Sequence, residues 1–267
     1  MMNYGIIPIS HLQLAMSIIL VLMAGLVSAF LKLGLLKSLI WGTIRAFIQL
    51  SLIGYLLAYI FQINHFILIL LIMLLMCYIA AREATRRVNV PTQEPLLVSF
   101  LSLTASSLLV SVIVVTLIIT PRPWYSAQIW IPIFGMILGN SMNGISLALD
   151  RMYNEVRSHT AEIEALLCFG ASPWEAVKNS VRKALRAGMT PTINSLMVVG
   201  LVTLPGMMTG QILAGADPRE AVRYQFVVMV MITASAALGC LLLIGISYRK
   251  MFTEDLALTE DMRQSHN

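Results

Sequence analysis

Seven stretches of this chain are so apolar that they constrain everything else. They cover roughly 12–31, 39–61, 66–80, 96–120, 129–149, 193–215 and 225–247. An α-helix needs about 20 residues to cross about 30 Å of hydrocarbon. Lipid offers no partner for open backbone N–H and C=O groups, so such runs cross as helices. The chain is 58% hydrophobic and only 12% charged, whereas a soluble domain carries about 25% charged residues. The expected fold is all-α and polytopic: one membrane domain over residues 1–267 with about seven transmembrane helices.

Lysine and arginine set the expected orientation. Fourteen of them fall in one set of alternate connections and in the C-terminal stretch, among them Lys32, Arg82, Arg182 and Arg249. Only Arg122, Arg219 and Arg223 fall in the other set. The excess of positive charge marks the cytoplasmic side, which places the N-terminus outside and the C-terminus inside. The net charge of +5 is therefore an orientation signal, and no nucleic-acid partner is expected. No basic residue precedes the first apolar run, so that run reads as a retained span rather than a signal peptide. The three cysteines lack CxxC spacing and read as reduced thiols, and the four histidines form no metal-binding motif. Residues 251–267 are polar and expected to form a flexible cytoplasmic tail.

Polar residues inside the apolar runs are the candidates for a translocation pathway. Arg45 and Gln49 stand four apart and share a helix face with Trp41. That stripe faces either a pathway or a partner helix, or Arg45 snorkels to the cytoplasmic surface. Asn140 and Asn143 share a face of the fifth run, where amides must find partners. Asn194 opens the sixth run. There Pro205 removes a backbone donor and Gly206 follows it, so a kink or break is expected. Broken helices are tolerated at membrane depth where they line a cavity or are buried in protein. Met207, Met208 and Gln211 lie beside the break. The two thioethers suit soft metals, or simply fill gaps between helices. Asp150 and Glu83, at the ends of the fifth and third runs, are the other weak metal candidates. The small-residue pairs Gly135/Gly139 and Gly206/Gly210 are candidates for close helix packing.

The one long polar interruption runs over 150–192. Within it, Ile163, Leu166, Leu167 and Phe169 form an apolar side on a short helix, which Gly170 ends. Ser172 and Pro173 then open a basic amphipathic helix. The pattern is helix, tight turn, helix, with a corner in the cytoplasm fit to enter a groove on a soluble partner.

Glu164-Ala165 followed by Gly170 resembles the EAA…G loop of ABC-transporter permeases, although Leu166 stands where that loop has its second alanine. The stretches TIRAFIQLSLIGYLL (43–57), IPIFGMILGNSMNGISLAL (131–149), the corner LCFGASPWEAV and above all LPGMMTGQILAGADP together resemble the bacterial iron-export permease family. Plant relatives of that family include the aluminium-tolerance permease. The resemblance runs from Arg45 to Tyr248. It implies a permease subunit of the bacterial inner membrane, exporting metal, most plausibly iron. It further implies a homodimer in the lipid bilayer with two copies of a separate ABC ATPase. ATP and magnesium would sit on that partner, with no cofactor in this chain. Glu164, Ala165, Gly170, Ala171, Ser172, Pro173 and Glu175 would couple to it. Consistent with that dependence, the chain holds no G-x-x-x-x-G-K-[ST] motif. Two other readings stay open: a permease for an organic cargo such as a nucleotide sugar or lipid, and a membrane anchor or sensor that recruits an ATPase without transport.

Overall fold

The architecture is a computed structural model that describes residues 9–86, 88 and 94–263. Helices α1 (His11–Met16), α2 (Ile18–Phe30), α3 (Leu36–Ile63) and α4 (Phe66–Arg86) come first. Helix α5 (Glu94–Ile113) continues as a π-helical stretch over Val114–Ile119. Then follow α6 (Ala127–Ser158), α7 (Thr160–Cys168), α8 (Pro173–Val198), α9 (Gly206–Leu213), α10 (Pro218–Lys250) and α11 (Glu260–Arg263). Among the described residues no β-strand occurs, only two isolated bridges. Among the described residues six helical stretches are long and apolar enough to span a bilayer: Leu12–Phe30, Leu36–Ile63, Phe66–Arg86, Pro95–Ile119, Ala127–Ser158 and Pro218–Lys250.

The run expected as the sixth span, 193–215, is not one helix. Its first residues finish α8, which stops at Val198, seven residues before Pro205. Gly200 takes φ +81, and the Val198 carbonyl accepts the amides of Leu201, Val202 and Thr203. Pro205 then caps the start of the short α9. The break is complete, and it begins where Gly200 turns the chain rather than at the Pro-Gly pair.

Relative directions follow from contacts at named positions. Ser141 of α6 meets Ser235 of α10 at 3.0 Å, and Gly239, four residues on, lies against Ile145. Helices α6 and α10 therefore run the same way. Gly188 of α8 lies against Gly144, and Lys183 reaches Glu155 at 2.7 Å, so α8 runs antiparallel to α6. Between α6 and α10 the chain must return to the starting end. Helix α8, the break and α9 make that return in pieces.

The core sits where α4, α5, α6, α8 and α10 meet, around Phe134, Ile137, Ile145, Leu149, Leu103 and Leu243. By contrast α3 buries a single residue, Ile60. Its exposed apolar surface suits lipid or a further protein chain, and not water. With 32 and 33 residues, α6 and α10 extend about 50 Å. Each therefore projects well past a hydrocarbon layer of about 30 Å.

Of the two glycine pairs expected to pack, only Gly135 approaches a neighbour, the Met76 side chain. A Cβ at Gly139, Gly206 or Gly210 would meet nothing within 4 Å. The close contact is instead Gly144 with Gly188, where α6 and α8 touch backbone to backbone beside Cys240.

The C-terminal stretch, expected to be loose from Met251, is folded back. Met251, Leu258 and Met262 are buried, and Arg263 Nε lies 2.7 Å from Glu164 of α7. The stretch also holds Phe252, Leu256 and Ala257, so it has apolar surface to bury. Residues 264–267 lie outside the described residues.

Candidate functional site: a helix-break cavity and a projecting corner

Two features stand out, and the antiparallel α6–α8 pair joins them. The first is a cavity of about 390 Å³ at the helix break. Asn140 and Asn143 reach it from α6, Ser195 from α8, Gly206 and Met207 from α9, and Gln225 from α10. Met136 and Met229 line it too, so three thioethers from three helices share the space. Among the described residues no acidic, basic or histidine side chain lines it. Asn140 Nδ2 donates to the Met136 carbonyl at 2.8 Å and the Ser195 hydroxyl to the Pro191 carbonyl at 3.0 Å. Gln225 is 5% exposed, and its Oε1 has no hydrogen-bond partner. A buried amide oxygen left unpaired costs about 1–3 kcal/mol, and Gln211 Oε1 on α9 is in the same position.

The candidates divide. Asn140, Asn143, Pro205, Gly206 and Met207 come together around this cavity; Asn194, Met208 and Gln211 lie near the break without lining it. Arg45 and Gln49 belong elsewhere, on exposed α3. Arg45 Nη2 pairs with Glu83 Oε1 at 3.3 Å, so Glu83 is already engaged, while Trp41 and Gln49 of the same stripe stay exposed. Asp150 accepts from Asn154 Nδ2 at 3.2 Å. Of the weak metal candidates only Met207 reaches the cavity. Among the described residues no three His, Cys, Asp or Glu side chains cluster as a metal site would require. Gln225 escaped sequence reading because it stands in the first two turns of α10, ahead of a long apolar stretch, and reads as a boundary residue.

The second feature is the corner between α7 and α8. Ala171 N–H donates to the Leu166 carbonyl and Gly170 N–H to the Leu167 carbonyl, each at 3.0 Å. This Schellman closure needs a left-handed residue, supplied by Gly170 at φ +87. One residue later the next helix is already capped. The Ser172 hydroxyl accepts from the Glu175 amide, while the Glu175 carboxylate accepts from the Ser172 amide at 2.8 Å and hydroxyl at 2.6 Å. These Ser172 bonds, from the hydroxyl first and then the amide, hold the Glu175 carboxyl below the usual carboxylate range. Glu175 thus fixes the turn, with Pro173 at the first helical position.

The expected apolar side of α7 is divided. Ile163 is buried, but Phe169, the C-cap of α7 before the turn, is 90% exposed at the tip. Beside it a groove of about 680 Å³ runs between Glu164, Gly170 and Ala171 on one wall and Asp255–Leu258 on the other. The corner is tied to the long helices. Trp174 packs edge-on against Tyr248 of α10 with centroids 5.4 Å apart. Glu155 of α6, only 6% exposed, is paired with Arg151 and with Lys183 of α8. That bridge spans two elements, which is why spacing along the chain did not reveal it.

Long apolar helices around a discontinuous one, with an internal cavity and a rigid projecting corner, define a multi-pass α-helical membrane protein. The chain matches the family described as Uncharacterised protein family (UPF0014) over residues 11–252, and it belongs to that family. It is 40% identical to the UPF0014 membrane protein YjkA of Bacillus subtilis, over 91% of this chain and 96% of that one. It is 36% identical to the probable iron export permease protein FetB of Escherichia coli, over 91% and 93%. It is 32% identical to the protein ALUMINUM SENSITIVE 3 of Arabidopsis thaliana, over 90% and 86%. No solved structure matches the chain.

Proposed function

We propose that this protein is the membrane permease subunit of an ABC exporter, moving metal, with iron as the cargo, out of the cytoplasm. The observation that carries the reading is the α7–α8 corner. Closed by a Schellman turn, capped immediately afterwards and tipped by an exposed phenylalanine, it has the build of a docking element for a soluble partner. Large exposed aromatics beside a groove are what protein interfaces use as anchors. That partner would be a separate ATPase, two copies serving a permease homodimer and holding ATP and magnesium themselves. In this orientation the corner lies in the cytoplasm, the N-terminus outside and the C-terminus inside. Force applied at Phe169 would pass along rigid α8 to the break and, through Lys183–Glu155, into α6, switching access to the cavity. Iron comes from the name carried by the Escherichia coli relative.

The test is reconstitution of the permease with a candidate ABC ATPase from the same organism. Metal-stimulated ATP hydrolysis and ATP-dependent loss of iron from inside-facing vesicles are expected. Phe169→Ala and Gly170→Arg should abolish both, and fail to capture the ATPase in pull-downs, while inserting normally. Iron movement that persists without any ATPase would refute the reading.

A further inference from the structure

Helix α8 carries a face that neither the cavity nor the corner uses. Gly188 turns toward α6, where it meets Gly144. With a helical step of about 100° per residue, Arg186 stands about 160° and Arg182 about 120° around α8 from Gly188. Both side chains therefore point away from the α6 contact, and both residues are exposed. They line a groove of about 340 Å³ between α7 and α8, with Lys183, Glu162 and Glu175. Lys183 is committed to Glu155 and Glu175 to Ser172. Among the described residues Arg182, Arg186 and Glu162 have no hydrogen-bond or ion-pair partner, so two free cations face one free acid. Depth identifies what those cations meet. Helix α8 runs antiparallel to α6, and Gly188 lies level with Gly144. With a rise of about 1.5 Å per residue, Arg186 stands about 3 Å and Arg182 about 9 Å further out. The apolar run of α6 ends at that level, where Leu149 gives way to Asp150. The two guanidiniums thus straddle the edge of the hydrocarbon, where lipid phosphates lie. Independently, the same face continues inward as apolar surface. Ile193 and Met197, two and three turns beyond Arg186, are 41% and 72% exposed. An acidic soluble protein could meet the arginines, but it could not cover Ile193 and Met197 at membrane depth.

We propose that this outer face of α8 binds an anionic phospholipid, its phosphate held between Arg182 and Arg186 and an acyl chain lying along Ile193 and Met197. Guanidiniums one helical turn apart can grip one phosphate from two sides. A zwitterionic lipid brings its own ammonium, which two uncompensated arginines repel, so the site selects headgroups of net negative charge. The site needs only the membrane-spanning fold, whatever the cargo. It lies on α8 between the corner and the helix break, so the bound lipid would fix the depth of the element that joins them.

The experiment displaces a fluorescently labelled phosphatidylglycerol from the purified full-length permease in neutral detergent. The competitors are dioctanoyl phosphatidylglycerol, dioctanoyl phosphatidylcholine and inorganic phosphate. Phosphatidylglycerol is expected to displace the label, and the other two to do so about tenfold less well or worse. Arg182→Gln and Arg186→Gln should each weaken phosphatidylglycerol about fivefold, and the double variant about twenty-five-fold. Met197→Gln should weaken it with both arginines in place. Lys178→Gln, which removes an exposed cation of α8 outside the groove, should leave it unchanged. All four side chains are exposed, so melting temperatures should not move. Equal loss in Lys178→Gln would mean diffuse surface charge, and equal displacement by inorganic phosphate would mean a bare anion site. Either result overturns the lipid assignment. So does a Arg182→Glu, Arg186→Glu double variant that keeps phosphatidylglycerol but fails to capture the ATPase, because the arginines would then belong to a protein interface.

Discussion

Gly188→Ala tests the packing that positions both features. A Cβ on Gly188 would lie 2.7 Å from the Gly144 carbonyl oxygen, 2.8 Å from Ala148 Cβ and 2.8 Å from Cys240 Sγ. Ordinary contact begins at 3.4 Å, so α8 must retreat from α6 by 3.4 − 2.7 = 0.7 Å. The nearest obstacle is backbone, which no rotamer change can clear. Overpacking of this kind costs about 1–3 kcal/mol. In a domain of this size each kcal/mol lowers the melting temperature by about 2–4 °C, so a fall of about 2–12 °C is expected. A thiol-reactive dye is a direct assay, because Cys77 and Cys240 are buried and become reactive on unfolding. Exposed Cys168 is first changed to Ser to lower the background. Adding Cys240→Ala should recover part of the loss but not all, since the Gly144 carbonyl remains. Gly139→Ala, with nothing within 4 Å of the new methyl, should leave melting unchanged. A Gly188→Ala protein melting within 1 °C of wild type would refute the close α6–α8 approach.

Other expectations follow from local geometry. Ser172→Ala removes one half of the capping box and should loosen the start of α8 by about 1 kcal/mol, seen as faster amide exchange confined to residues 172–176; unchanged exchange would mean the box contributes nothing. The Glu175 carboxyl is held low in the folded chain, so its stabilisation is complete above the ordinary carboxylate range and is lost only as pH falls through the lowered value. Trp174 fluorescence, in a variant whose other three tryptophans are Phe, should stay constant down through that ordinary range and shift below it; a midpoint above it would contradict the assignment. Arg45→Ala and Glu83→Ala should couple by about 1 kcal/mol or less, because neither side chain is deeply buried, and the charge-swapped pair should restore any loss of membrane yield. A coupling of zero, with no rescue by the swap, would dissolve the α3–α4 link.

Much of this was legible from residue types. Apolar run length located the helices, since a bilayer demands a minimum of about 20 residues and the chain supplies it repeatedly. Gly170, Ser172 and Pro173 announced the corner, because turn and cap chemistry is local and written in adjacent residues. The break was legible in kind but not in place. Proline and glycine at 205–206 are strong signals, yet Gly200 turned the chain first, and a lone glycine in an apolar run gives little warning. Long-range pairings were beyond reach. Gly144 with Gly188, Glu155 with Lys183 and Gln225 with the cavity each depend on which faces of distant helices meet. Phe169 shows the same limit at short range, since at about 100° per residue it stands about 120° around α7 from buried Ile163.

The gap between Val198 and Gly206 also bears on how the chain is made. A helix delivered into lipid on its own satisfies its backbone internally, but this stretch exposes amides and carbonyls that hydrocarbon would penalise. It can settle at depth only against protein, and one wall, α10, is synthesised after it. Biogenesis therefore requires the segment to wait in a sheltered place until its later neighbour emerges, so truncation before Pro218 should leave 173–213 outside the bilayer while the preceding helices insert.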